Sequence, residues 1–155
     1  MKEKLNIEKL SIAIPQAVED LTSCERSSRY KIDMTVYHRG CDDFRNDIGI
    51  DACEVCFAGA TIARRTDSKH SQSKYPGDFP REVNMLFALD RVRRGNLVGA
   101  GMCLSFGKKK IDKLIALGNR SLHRRWLRRN SYQNDPRQFK QHLLALADEL
   151  KEIGL

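Results

Sequence analysis

The sequence predicts a mainly α, single-domain helical bundle with at most a small strand or hairpin near residues 31–37; an α+β arrangement is the alternative. Three observations predict it. Apolar residues recur at helical spacing, between recognisable start and stop signals, over most of the chain. Period-two alternation is confined to one short segment. The 155 residues, 41% apolar and 31% charged, are enough for one core that buries about two-thirds of the unfolded surface. No repeat or low-complexity tract subdivides residues 1–155.

Taken in order, Asn6 reads as the cap of a short helix, "NIEKLSIAI", and Pro15 as the first turn of a second, "PQAVEDLTSC". "KIDMTVYHRG" alternates Ile32, Met34 and Val36 with Lys31, Asp33 and Thr35, the pattern of a strand with one buried face. "DACEVCFAGATIARR" reads as a helix from Asp51, because Asp51 and Glu54 form a capping box. That register lines up Cys53, Cys56, Phe57, Ala60 and Ala63. Residues 66–78 offer no apolar face and predict an exposed loop.

Asp78 then caps a helix over "PREVNMLFALDRVRR", with Val83, Leu86, Phe87 and Val92 on one face and Gly95 as its stop. The glycines of "NLVGAGMCLSFG" suggest irregular structure. Helices follow over "KKKIDKLIALG", ending at Gly118, and over "RSLHRRWLRRN", which Leu122 and Trp126 would anchor if its arginines are only a solvated face. The last begins at Asp135, Pro136 and Gln138, with Phe139, Leu143, Leu146, Leu150 and Ile153 as its stripe.

Charge is segregated. Residues 91–140 form a basic surface segment holding 14 Lys/Arg against 2 Asp/Glu, a net +12 within a chain whose total is +8. Such a field attracts polyanions, because it sums over a Debye length of about 8 Å rather than over one contact. The candidate binding residues are Arg91, Arg93, Arg94, Lys108, Lys109, Lys110, Arg120, Arg124, Arg125, Arg128 and Arg129. Arg120, Arg124 and Arg128 share one line of a helix and Arg125 and Arg129 the next, a spacing that can follow a phosphate backbone. His123, Trp126 and Tyr132 would add base stacking if they are free of the core. The bland reading is a solvated face.

Five cysteines cannot all pair within one chain, which points to free thiols or metal ligation in a reducing compartment. His38, Cys41, Cys53 and Cys56 have a donor set and spacing that suit zinc. The competing reading is that Cys53 and Cys56 are small buried hydrophobes on a helix. A redox pair is disfavoured, since five carboxylates between Asp42 and Glu54 oppose a thiolate. Catalysis has little support. His70 with Asp67, Ser68 and Ser71 are sequence neighbours without nucleophile–base geometry, and "GAGMCLSFGKKK" lacks phosphate-loop spacing. No cofactor is expected apart from the zinc alternative. The charged N-terminus and the lack of any apolar run of about 18 residues predict no membrane association.

"CEVCFAGATIARR", followed by "LFALDRVRRGN", resembles a family of small proteins of tailed bacteriophages and prophages that carries a C-x-V-C-x-A-G-A and a later A-L-D-x-x-R-x-G segment. The resemblance covers about residues 30–100. It implies a phage origin and residence in the bacterial host cytoplasm, and brings no activity, ligand or catalytic residue with it. The expectation is a non-enzymatic phage accessory protein that binds nucleic acid or a host nucleoprotein machine through its arginines. The alternatives are an inhibitor or adaptor on an acidic host protein, in counter-defence or host takeover, and a zinc-stabilised interaction module.

Overall fold

Helices α1 (Leu10–Arg26) and α7 (Pro136–Glu152) form the axis of the domain, in a computed structural model that describes residues 3–39, 53–65 and 74–155. They run antiparallel. The Lys140 ammonium and the Tyr132 hydroxyl reach Glu25 at one end, and at the other Ser11 N donates to the Leu155 carbonyl. Leu10, Ile14 and Leu21 from α1 meet Phe139, Leu143, Leu146 and Leu150 from α7 in one core, each fully or almost fully buried. Burial of this kind stabilises by about 2 kcal/mol per large side chain.

Around this pair stand α2 (Phe57–Arg65), α3 (Val83–Val92), α4 (Leu97–Cys103), α5 (Lys108–Arg120) and α6 (Leu122–Arg129). A three-stranded sheet of order β1-β3-β2 lies at the edge: β1 (Tyr30–Ile32), β2 (His38–Arg39) and β3 (Cys53–Val55). Strand β1 runs parallel to β3 with Tyr30 opposite Cys53, and β2 runs antiparallel to it with His38 opposite Val55. The architecture is mainly α with a small sheet.

Several local expectations are corrected. One helix, not two, spans Leu10–Arg26 with Pro15 inside it. Asn6 does not cap it directly; its side chain accepts from Glu8 N and Lys9 N and makes the turn before it. An interior proline costs roughly 3 kcal/mol, less than the burial of the Leu10, Ile14 and Leu21 side chains returns.

The strand expected over 31–37 is interrupted, because the Asp33 carboxylate accepts both the amide and the hydroxyl of Thr35 and turns the chain between β1 and β2. Residues 53–55 are a strand, so α2 begins at Phe57 and not at Asp51, which lies outside the described residues. Of the loop expected over 66–78, residues 66–73 lie outside the described residues. Residues 76–78 form a 3-10 turn, within which Asp78 accepts from Tyr75 N instead of capping α3.

Phe87 is exposed on α3, whose buried face is Met85, Leu86, Ala88, Leu89 and Val92. The glycine-rich stretch is helical: Asn96 caps α4 by accepting from Gly99 N, and Gly101 lets Leu114 and Ile111 of α5 approach its backbone. Helix α5 runs past Gly118 to Arg120. Leu122 is exposed and anchors nothing; Leu127 is the buried leucine of α6.

Candidate functional site

The basic segment is assembled around Gly95. This residue ends α3 in the left-handed region at φ 74°, and a Cβ there would lie 2.7 Å from the Arg124 carbonyl oxygen and 2.9 Å from Arg128 N. Helix α6 therefore lies directly on the α3–α4 turn. Arg124 fastens it by donating from Nε to the Gly95 carbonyl at 2.8 Å. Burial, and then the Arg128 and Arg125 charges, hold its guanidinium below the ordinary arginine value.

At the end of α3, the buried Asp90 carboxylate is 2.9 Å from Arg93 Nε, 3.5 Å from Arg94 and 3.7 Å from Arg91, so one negative charge answers three positive ones. Among the described residues, no carboxylate pairs with Arg120, Arg125, Arg128 or Arg129, all of them exposed. The fold thus sets α6, with exposed Arg125, Arg128 and Arg129, against the turn that follows exposed Arg91 and Arg94, about thirty residues earlier in the chain.

Two arginines of the expected set are committed inwardly. Arg93 is partly buried and also donates to the Met34 carbonyl at 3.0 Å, tying α3 to the β1–β2 turn; Arg124 holds Gly95. Lys108, Lys109 and Lys110 stand apart. They form the first turn of α5, beside Ile7 and Glu8, at roughly 18 Å of helix axis from Arg120. Lys110 sits over the Phe106 ring at 4.9 Å and Lys108 is 3.8 Å from Asp112.

The aromatic side chains expected to stack bases are engaged within the bundle. Trp126 is stacked on His142 with centroids 4.6 Å apart, and His123 Nδ1 lies 2.9 Å from His142 Nδ1. Tyr132 bonds Glu25 and meets Phe139 edge-on. His142 was not among the sequence candidates. Its only signal is its place beside Leu143 at the border of the α7 stripe.

The cysteine question divides by position. Cys41 and the side chains of His38 and Cys53 lie outside the described residues. Cys56 is buried immediately before α2, where its Sγ accepts from Gly59 N at 3.4 Å and its carbonyl takes Ala60 N. Its thiol thus serves as the cap, and burial pushes its pKa up. A nucleophile or metal ligand needs the opposite shift.

Around Cys56 a cavity of about 60 Å³ is lined by Met34, Tyr37, Asp90 and Arg93 among others. Burial, with Asp90 and Cys56 adding to it, raises the Tyr37 phenol. The two segments that carry the phage resemblance meet here, Cys56 and Gly59 from one and Asp90 and Arg93 from the other. Their interactions are those of a structural joint. A larger cavity, about 230 Å³, lies between Lys4, Leu5, Thr61, Ile62, Arg65, Phe79, Glu82 and Leu86. The Thr61 hydroxyl is buried at its wall without a hydrogen-bond partner among the described residues.

Among the described residues no helix is long and apolar enough to cross a membrane. No protein-family model, curated protein or solved structure matches the chain.

Proposed function

We propose that the chain is a non-catalytic binding protein, of phage origin and acting in the bacterial cytoplasm, whose ligand is the phosphate backbone of a nucleic acid. The observation that carries this reading is the packing of α6, with exposed Arg125, Arg128 and Arg129, on the Gly95 turn that follows exposed Arg91 and Arg94, Asp90 being the one carboxylate paired with any of these five among the described residues. Exposed guanidiniums without carboxylate partners keep their donors for a polyanion, and phosphate accepts them in the planar, forked geometry that arginine presents.

The engagement of Trp126 and Tyr132 inside the bundle favours a duplex backbone over single strands, since a single-strand site needs aromatic faces free for bases. Binding of this kind is insensitive to sequence.

The test is the salt dependence of binding to a short DNA duplex. Affinity should fall with a log-log slope of about 0.9 per phosphate contacted, hence 3 to 5 for this face. Replacing Arg94, Arg125, Arg128 and Arg129 together by Gln should abolish it. Arg124 stays, because it holds α6 in place. A salt-independent affinity, or the same affinity in the fourfold variant, refutes the reading. A stoichiometric protein complex that survives nuclease and is lost in that variant would assign the face to an acidic protein instead.

A further inference from the structure

We propose that His123 and His142 form a proton-operated latch that holds the arginine-bearing helix α6 against α7. The proposal deepens the arginine-face reading and rests on it for its regulatory consequence; the latch itself rests on the geometry of three rings.

His123 is the second residue of α6. Its Nδ1 faces the Nδ1 of His142 at 2.9 Å, with ring centroids 5.2 Å apart and planes inclined by 49°. One turn further along α6, Trp126 lies over the His142 face with planes only 18° apart. Histidine 142 is therefore gripped at its edge by one residue of α6 and on its face by another.

Proton counting makes this contact sensitive. A 2.9 Å separation between two ring nitrogens requires a hydrogen on one and a bare lone pair on the other. Two neutral imidazoles meet that requirement when one is the Nδ1–H tautomer and the other the Nε2–H tautomer. One extra proton is also tolerated, because an imidazolium still donates from Nδ1 to a neutral partner. A second extra proton puts hydrogens on both Nδ1 atoms and two positive charges within one contact, so the rings must part.

Among the described residues no carboxylate pairs with either ring. Glu149 of α7 is taken by Ser121, Glu25 of α1 by Tyr132 and Lys140, and Arg124 of α6 by the Gly95 carbonyl. Arg125 and Arg129 of α6, Arg137 and Asp148 of α7 and Arg120 at the end of α5 are exposed to solvent. Burial, and then the charge of His123, hold the His142 pKa below the ordinary histidine value. Because the first extra proton is tolerated, docking is lost with the second, below the ordinary histidine value of about 6.5. An eight-residue helix has little stability by itself, so release of α6 also dissolves the spacing of Arg125, Arg128 and Arg129.

Trp126 is the sole tryptophan of the chain, so its fluorescence reports on the contact of α6 with α7 and the core beside it. Titrating the full chain from pH 8 to pH 5 should give one transition below pH 6.5 in which the emission moves to the red. The far-UV circular dichroism should lose no more than the share of α6. His123→Asn and His142→Asn should each flatten the transition. Nuclear magnetic resonance of the wild-type imidazole protons supplies a readout that needs no variant: the His142 ring should leave the Trp126 face over the same pH range as the emission change.

A flat wild-type emission, a His142 ring that stays on Trp126 through the transition, or a transition retained in both variants would overturn the latch. Affinity for a short DNA duplex should drop about tenfold across the same midpoint in the wild type and less than twofold in the variants. Absence of DNA binding at every pH with the fluorescence transition intact would instead sink the arginine-face reading and leave the latch standing.

Discussion

The Arg124 guanidinium donates to the carbonyl of Gly95 across twenty-nine residues, and the backbone of the same helix turn leaves no room for a Cβ on that glycine. One short contact sets the position of α6 on the α3–α4 turn, and with it the distance between the arginines of the two elements. Gly95→Ala meets two penalties at once: a left-handed φ that alanine adopts at a cost of about 1 kcal/mol, and overlap with backbone atoms that cannot swing away. A loss of 2 to 4 kcal/mol is expected in urea denaturation, against about 1 kcal/mol for Arg124→Gln, which removes only the hydrogen bond. Equal and small losses would show that α6 does not depend on this contact.

Thr61 gives the opposite expectation. Its hydroxyl is buried at the wall of the 230 Å³ cavity with no partner among the described residues, so the folded state carries its desolvation without a compensating bond. Thr61→Val keeps the shape and removes the cost. The variant should equal the parent in stability or exceed it by about 1 kcal/mol, read as a higher urea midpoint at unchanged slope. A lowered midpoint would mean that the hydroxyl is bonded in solution.

Local signals were legible and non-local ones were not. The start of α7 was readable because all its parts lie within four residues: Asp135 accepts from Gln138 N at 3.0 Å, Pro136 needs no donor, and the Gln138 amide returns to Asp135 at 3.1 Å. Asp51 and Glu54 carried a similar signal and failed. Glu54 lies at the centre of β3, flanked by strands from residues 30–32 and 38–39, and that pairing overrides a helix propensity of a few tenths of a kcal/mol per residue.

The binding face was legible as charge but not as geometry. Arg93 and Arg91 look alike in the sequence, yet one is spent on Asp90 and Met34 and the other is exposed. Trp126 was readable as an aromatic near arginines; its partner, His142, sits sixteen residues away on another helix. Only the fold tells which of these groups is free.

Cys56 bears on the metal alternative. Its thiol is buried and already accepts from Gly59 N, and burial raises its pKa. In the folded protein it should react with iodoacetamide at least a hundredfold more slowly than the partly exposed Cys103, as followed by mass spectrometry of peptides. Cys56→Ala should cost about 1 to 2 kcal/mol, the sum of a lost cap and a small void. One zinc per chain in protein purified without added metal, with collapse of the fold on chelation, would instead establish the site of His38, Cys41, Cys53 and Cys56.

The clasp between α1 and α7 yields a prediction at the alkaline end. Tyr132 donates to Glu25 at 2.5 Å, and Lys140 bonds the other carboxylate oxygen. Burial first, and then the Glu25 carboxylate, push the phenol above its ordinary value of 10. The folded state therefore keeps a proton that the unfolded chain releases above about pH 10, so this part of the stability is complete below pH 10 and drains away as pH rises further. Tyr37, whose phenol is also raised, adds to the same alkaline slope. Tyr132→Phe keeps the edge-on contact with Phe139 and removes the titrating group. At pH 7 the variant should be less stable by about 1 to 2 kcal/mol, the worth of a hydrogen bond to a charged acceptor that keeps Lys140. Between pH 9 and pH 11 its stability should fall less steeply than that of the parent, the remaining slope including the raised Tyr37 phenol and Cys56 thiol. Urea midpoints collected across that range decide the matter: parallel curves for the two proteins would mean that Tyr132 is as free to ionise in the folded domain as in the unfolded chain.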